Sequence, residues 1–93
     1  MLEEHNSFVW DPRKERINII KHRIDFTTAA WAFNDPKRKI FADFWHSEHE
    51  QRYFCIGKVN NRVTTVRFTR RGGKIRIIGA GYWRKGIKYY EET

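Results

Sequence analysis

Between Arg52 and Ala80 the chain reads RYFCIGKVNNRVTTVRFTRRGGKIRIIGA, and this stretch constrains the fold more than any other. Runs of β-branched and aromatic residues are broken at Asn60-Asn61 and at Arg71-Gly72-Gly73. Asn and Gly accept positive φ, so both breaks read as tight hairpin turns. β-Branched side chains suit a pleated surface. Strands are therefore expected over 52–58, 62–69 and 74–80, consecutive and antiparallel. Residues 40–44 read as one more strand ahead of them, and the polar stretch 45–51 as a loop.

The first third of the chain reads as helical. Asp11-Pro12 is a helix start: Asp accepts from free N–H groups of the first turn, and Pro suits the first helical position. Ile17, Ile20 and Ile24 follow at helical spacing, with Arg13, Lys14, Arg16 and Lys21 on the other faces. Asp25 offers a second cap, leading into Ala29-Ala30-Trp31-Ala32-Phe33. Asn34-Asp35-Pro36 stops that helix, because a residue before Pro avoids helical geometry. Phe8-Val9-Trp10 is a short apolar piece, an edge-strand candidate. Residues 83–92 read as a short closing helix, weakened by Gly86. The expected fold is α+β: two N-terminal helices, a four-stranded antiparallel sheet and a short C-terminal helix, in one domain over 1–93.

Nineteen Lys and Arg against eleven Asp and Glu give a net charge of +8 and a pI near 10.0. Such a surface fits a polyanion, because neutralised phosphates release counterions. Solubility, or pairing with one acidic protein, accounts for the charge equally well. The single cysteine, Cys55, sits in an apolar run, excludes an internal disulfide and reads as core filler. The first residues do not read as a signal peptide, and no apolar run approaches the ~20 residues of a membrane span. A cytoplasmic protein with no membrane partner is expected.

Several groups of residues carry candidate chemistry. Strict alternation puts Thr65, Arg67 and Thr69 on one face of their strand, opposite Val66 and Phe68, and sets Arg76 and Ile78 against Ile75 and Ile77. Arg52 opens the strand before. Arginines on a sheet face suit phosphate oxygens, and they also suit an open polar face with ordinary ion pairs. The segment HSEHEQR, from His46 to Arg52, holds candidate acids, bases and a cation in one loop. Cleavage of RNA through its 2′-hydroxyl needs those three. His46-x-x-His49 is half a metal site without cysteine partners, so no structural zinc is expected. His22, after Lys21, reads as a cation at a helix C-terminus or as a catalytic imidazole. Tyr82-Trp83-Arg84-Lys85, with Tyr89 and Tyr90, would suit stacked bases and paired phosphates, or a protein interface. Gly79-Ala80-Gly81, just before that cluster, leaves room for close packing or for a ligand.

Taken together these residues resemble a known family. FVWDPRKERINIIKHRIDFTTAAWAFNDP is similar to the opening of the BrnT family, the toxin half of a bacterial type II toxin–antitoxin pair. The shared elements are Phe8-x-Trp10-Asp11-Pro12, Lys14, Asn18, Lys21-His22, Ile24-x-Phe26, Ala29 and Asp35-Pro36. HSEHEQRYFCIG and VRFTRRGGKIRIIGAGYWRKG resemble its later segments, so the likeness runs from Phe8 to Glu91.

The resemblance implies a compact RelE-like ribonuclease that blocks translation by cutting RNA, without metal or cofactor. It implies a ribbon-helix-helix antitoxin (BrnA-like) that neutralises it in a hetero-oligomer, and DNA met only through that complex. Catalytic roles would fall on Arg67 and Arg76 as phosphate clamps, Arg52 assisting, and Glu50 or His22 as base or acid. Lys21, Arg70, Tyr82, Trp83, Arg84 and Lys85 would border the RNA. One departure stands out. Many members read Ile-Ser-Ala-Arg followed by a Glu, where this chain has Gly79, Gly81 and Gly86. No role is carried to those three positions. A basic module that binds antitoxin or nucleic acid, with its cleavage site lost, is the alternative.

Overall fold

The computed structural model describes residues 7–47 and 49–92. Most of the segment read for a signal peptide, and Glu48 of the polar loop, lie outside the described residues. The elements run β1 (Phe8–Trp10), α1 (Pro12–His22), α2 (Phe26–Ala30), a 3-10 turn (Trp31–Asn34), β2 (Lys39–Ala42), a second 3-10 turn (Phe44–His46), β3 (Arg52–Val59), β4 (Arg62–Arg71), β5 (Lys74–Gly81) and α3 (Arg84–Glu91).

The sheet has five strands in the order β1-β5-β4-β3-β2. The expected four-stranded antiparallel sheet is therefore incorrect. β1 adds to the free edge of β5 and runs parallel to it, with Phe8 beside Ile75 and Trp10 beside Ile77, so the sheet is mixed. A strand of three residues is too short to show a period, and its partner lies near the other end of the chain. The remaining pairs are antiparallel. The two hairpins stand at the turn signals, with Asn60 and Asn61 at φ of 51° and 66° and Gly72 and Gly73 at 55° and 78°.

β5 carries a bulge. Arg67 pairs with Gly79 and Phe68 with Ile77, which leaves Ile78 without a partner. A bulge inserts one residue and resets the alternation. Ala80 thereby returns to the core beside Ile77, and Gly79 and Gly81 turn to the face of Arg67 and Thr65. Strict alternation from the sequence missed this.

One face of the sheet is covered by α2 and the turn after it. Phe26, Ala29, Ala30 and Ala32 pack there against Cys55, Val66, Phe68, Ile77 and Ala80. Burial pushes the Cys55 thiol up to about 12, as expected of core filler. Gly57 is required at this contact, since a Cβ would stand 2.4 Å from the carbonyl oxygen of Ala32.

α1 departs from its expected stripe. The Asp11 carboxylate accepts from the Arg13 N–H at 2.8 Å, Pro12 follows, and the helix closes at Arg23 in the left-handed region at φ 61°. Ile24 lies beyond that end and is buried, whereas Ile17 and Ile20 are 53% and 71% exposed. The buried residue of α1 is Asn18. Its amide nitrogen donates to the carbonyls of Ile24 and Ala80 at 3.0 Å each, and its oxygen accepts from the Ala80 N–H at 3.1 Å. β1 is too short to reach that part of β5. Asn18 stands in for the missing strand and satisfies both backbone groups of Ala80.

Candidate nucleic-acid interface

The other face of the sheet is organised in rows set by the strand register. The first row runs Lys39, Ile56, Thr65 and Gly81, and the second Phe41, Phe54, Arg67 and Gly79. A third brings Arg52, Thr69 and Arg76 together. α3 lies on the first row. Gly86 sits so close to β4 that a Cβ would overlap the Thr65 hydroxyl, and a Cβ on Gly81 would stand 2.7 Å from the Trp83 ring. Close packing thus accounts for both glycines. Gly79 differs: a Cβ there would meet the Arg67 guanidinium at 3.5 Å, an ordinary contact, so packing does not require the glycine.

The second row stays open. Between α3 and the 3-10 turn at Phe44–His46 lies a cleft of about 720 Å³. Phe41, Phe54, Arg67, Trp83, Lys85 and Tyr89 line it, with Asp43, Phe44 and Trp45 at one wall. A smaller hollow of about 280 Å³ lies between α1 and β5, lined by Lys14, Lys21, His22, Arg67, Gly79 and Trp83 among others. Arg67 and Trp83 belong to both. No carboxylate pairs with Arg67 among the described residues. Its charge therefore faces the seam between two concavities.

The candidate residues separate into groups. The His22 and Trp83 rings meet in a T-shaped contact, with centroids 5.0 Å apart, in the hollow that Arg67 also lines. Lys21 joins them there, and Lys85 lines the larger cleft. Glu50 is engaged elsewhere: Arg71 donates to its two oxygens at 3.1 and 3.2 Å. That contact holds the Glu50 carboxyl below its ordinary value, and the charges of Arg52 and Arg76 add to the effect. A carboxylate so paired is a weak proton acceptor. Glu50, Arg52, Arg71 and Arg76 form one charged group at the end of the face away from α3.

Arg70 and Tyr82 lie on the helix-covered side. Arg70 stands 5.9 Å from the Tyr53 ring and 6.0 Å from that of Phe68. The Arg62 guanidinium covers Tyr82 at 3.5 Å from its ring centre, and Tyr82 packs on the core. Arg84 is exposed in the first turn of α3 and lines neither concavity.

Two features escaped the sequence reading. Asp43, only 7% exposed, and Nδ1 of His46 lie 2.8 Å apart. Assigning 40–44 to a strand and 45–51 to a loop had split this pair between elements. Beside it Phe44 and Trp45 are 83% and 89% exposed, although both are large and apolar. The second feature is Asp35, which accepts from the Lys58 N–H at 2.7 Å, the Tyr90 hydroxyl at 2.5 Å and the Lys37 N–H at 2.8 Å. Burial disfavours its charge, but these donors outweigh burial and hold the carboxyl below its ordinary value. The same contact, with some burial, pushes Tyr90 up to about 12.

Among the described residues no three His, Cys, Asp or Glu side chains are grouped to hold a metal, and no helix is long and apolar enough to cross a membrane. Residues 10–86 match the family described as the ribonuclease toxin, BrnT, of type II toxin–antitoxin systems. No curated protein matches the chain.

Proposed function

The chain belongs to the BrnT family of ribonuclease toxins of type II toxin–antitoxin systems, and from that premise we propose that its open basic face is a metal-independent endoribonuclease site centred on Arg67. The observation that carries the reading is the position of Arg67, without a carboxylate partner among the described residues, on the seam of two concavities edged by Lys14, Lys21 and Lys85. A guanidinium fork matches phosphate oxygens and stabilises the charge that gathers on a phosphorane. Arg67 holds the scissile phosphate. Arg52 and Arg76, one row away, meet the next phosphate along the strand. His22 lines the hollow beside Arg67 and serves as the acid for the leaving oxygen. Glu50 holds Arg71 and takes no proton.

A type II toxin works against an antitoxin partner. We assign that partner to the ribbon-helix-helix class, with DNA reached only through a toxin–antitoxin hetero-oligomer.

The rival reading, a binding module that has lost its cleavage site, drew its support from the glycines. Packing against Trp83 and Thr65 supplies another reason for Gly81 and Gly86. The test is induced expression in a bacterial host, with and without the neighbouring gene, followed by RNA integrity on a gel. Growth arrest with degraded RNA, relieved by the neighbour and by Arg67→Ala, is expected. Normal growth and intact RNA from folded wild-type protein would leave the binding module in its place.

A further inference from the structure

We propose that Asp43 and His46 are the acid–base pair of this site, His46 taking the 2′-hydroxyl proton while Phe44 and Trp45 hold an unstacked base of single-stranded RNA. The inference rests on the ribonuclease reading above and adds to it the group that starts the reaction.

Asp43 is buried at the wall of the larger cleft, the one Arg67 also lines. An ionised carboxylate only accepts, so the 2.8 Å contact puts the ring hydrogen on Nδ1 of His46. Nε2 then keeps its lone pair. The His46 side chain is 59% exposed, so a substrate can reach it.

The turn that carries the pair is braced at its root. The Ser47 hydroxyl donates to the Asp43 carbonyl, the Arg52 N–H donates to Ser47 Oγ, and the Asp43 N–H donates to the Arg52 carbonyl. The base is thus fixed to the strand that carries Arg52. Phe44 and Trp45 project from between Asp43 and His46 almost wholly into solvent. Aromatic faces beside cations bind single-stranded nucleic acid, each stacked base contributing roughly 1–3 kcal/mol. Arg67 and Lys85 supply the cations in the same cleft.

Nε2 of His46 accepts the proton of the 2′-hydroxyl, and Nδ1–H remains on the Asp43 carboxylate. O2′ attacks phosphorus, and the O2′–P bond forms. The P–O5′ bond breaks, its electron pair leaves with O5′, and O5′ takes a proton from His22. The products are a 2′,3′-cyclic phosphate and a 5′-hydroxyl, with no water consumed. Solvent exchange resets the two imidazoles.

The test uses purified toxin, a single-stranded oligoribonucleotide and EDTA. His46→Gln is expected to lower kcat by ~10²-fold or more while KM changes little. Added imidazole is expected to restore activity to His46→Gly, which a merely structural histidine would not allow. Trp45→Ala is expected to raise KM by roughly 5- to 100-fold. Circular dichroism confirms that each variant is folded. Wild-type protein that leaves the oligonucleotide intact would remove the ribonuclease reading and this inference together. Wild-type cleavage with a fully active His46→Gln would overturn the inference alone. If Trp45→Ala and Phe44→Ala weaken capture of the antitoxin but leave KM for RNA unchanged, those aromatics form a protein interface and the base-holding role is wrong.

Discussion

At the scale of single residues, Asn18 and Gly86 show how much of this fold hangs on atoms that composition does not flag. Asn18 satisfies the N–H and C=O of Ala80 with one carboxamide. Asn18→Ala would leave both groups buried without partners, at about 1–3 kcal/mol for each orphaned group. Urea denaturation is expected to show a midpoint well below wild type with an unchanged slope. Gly86→Ala places a methyl against the Thr65 hydroxyl, and overpacking of this kind costs about 1–3 kcal/mol. Thr65→Ala in the same chain should recover part of that loss. A Gly86→Ala protein as stable as wild type would show that α3 does not seat on β4 as described. In the sequence Asn18 stood out only as a residue shared with the BrnT opening, and Gly86 as a weak point in a helix. Both roles depend on what lies across the interface, so neither shows in local propensity.

At the scale of elements, α3 is held by more than its packing. Tyr90 of α3 donates to Asp35, and Lys39 of β2 donates to the carbonyls of Tyr89 and Glu92. The Tyr90 hydroxyl stands at about 12 in the folded chain, above the ordinary 10.0. A raised value means stabilisation fully present below pH 10.0 and lost as pH climbs through about 12. The difference in Tm between wild type and Tyr90→Phe is therefore expected to be constant from neutral pH to pH 10, then to shrink. A difference that stays constant to pH 12 would mean that the hydroxyl is not bound to Asp35. Asp35 acts in the opposite sense. Its lowered carboxyl contributes above the ordinary carboxylate value and fades on acidification. The hairpins of β3, β4 and β5 were legible because turn residues mark themselves. The pairing of β1 with β5, the bulge at Ile78 and the solvent-facing isoleucines of α1 were not. Each is decided by a partner distant in sequence.

At the scale of the whole molecule, the net charge is +8, and the open sheet face carries Arg52, Arg67 and Arg76 of it. Binding of single-stranded RNA is expected to weaken with salt, with a slope of log K against log [salt] near −0.7 for each phosphate contacted. Arg67→Ala should reduce that slope by ~0.7 and weaken binding similarly across RNA sequences. An unchanged slope would remove Arg67 from the phosphate path. The strand arginines and Trp83 could be found in the sequence because alternation and composition point to them. The Asp43–His46 pair could not, since a 3-10 turn has no period to read. The parallel joint between β1 and β5 bears on how such a protein is made. Its earliest strand has no partner until its latest strand has been translated, and Trp83, Lys85 and Tyr89 of the cleft follow later still. The nascent chain carries no complete cleft at any intermediate length. A ribosome that has not yet passed β5 and α3 has therefore assembled neither the sheet edge that seats β1 nor the cleft beside it.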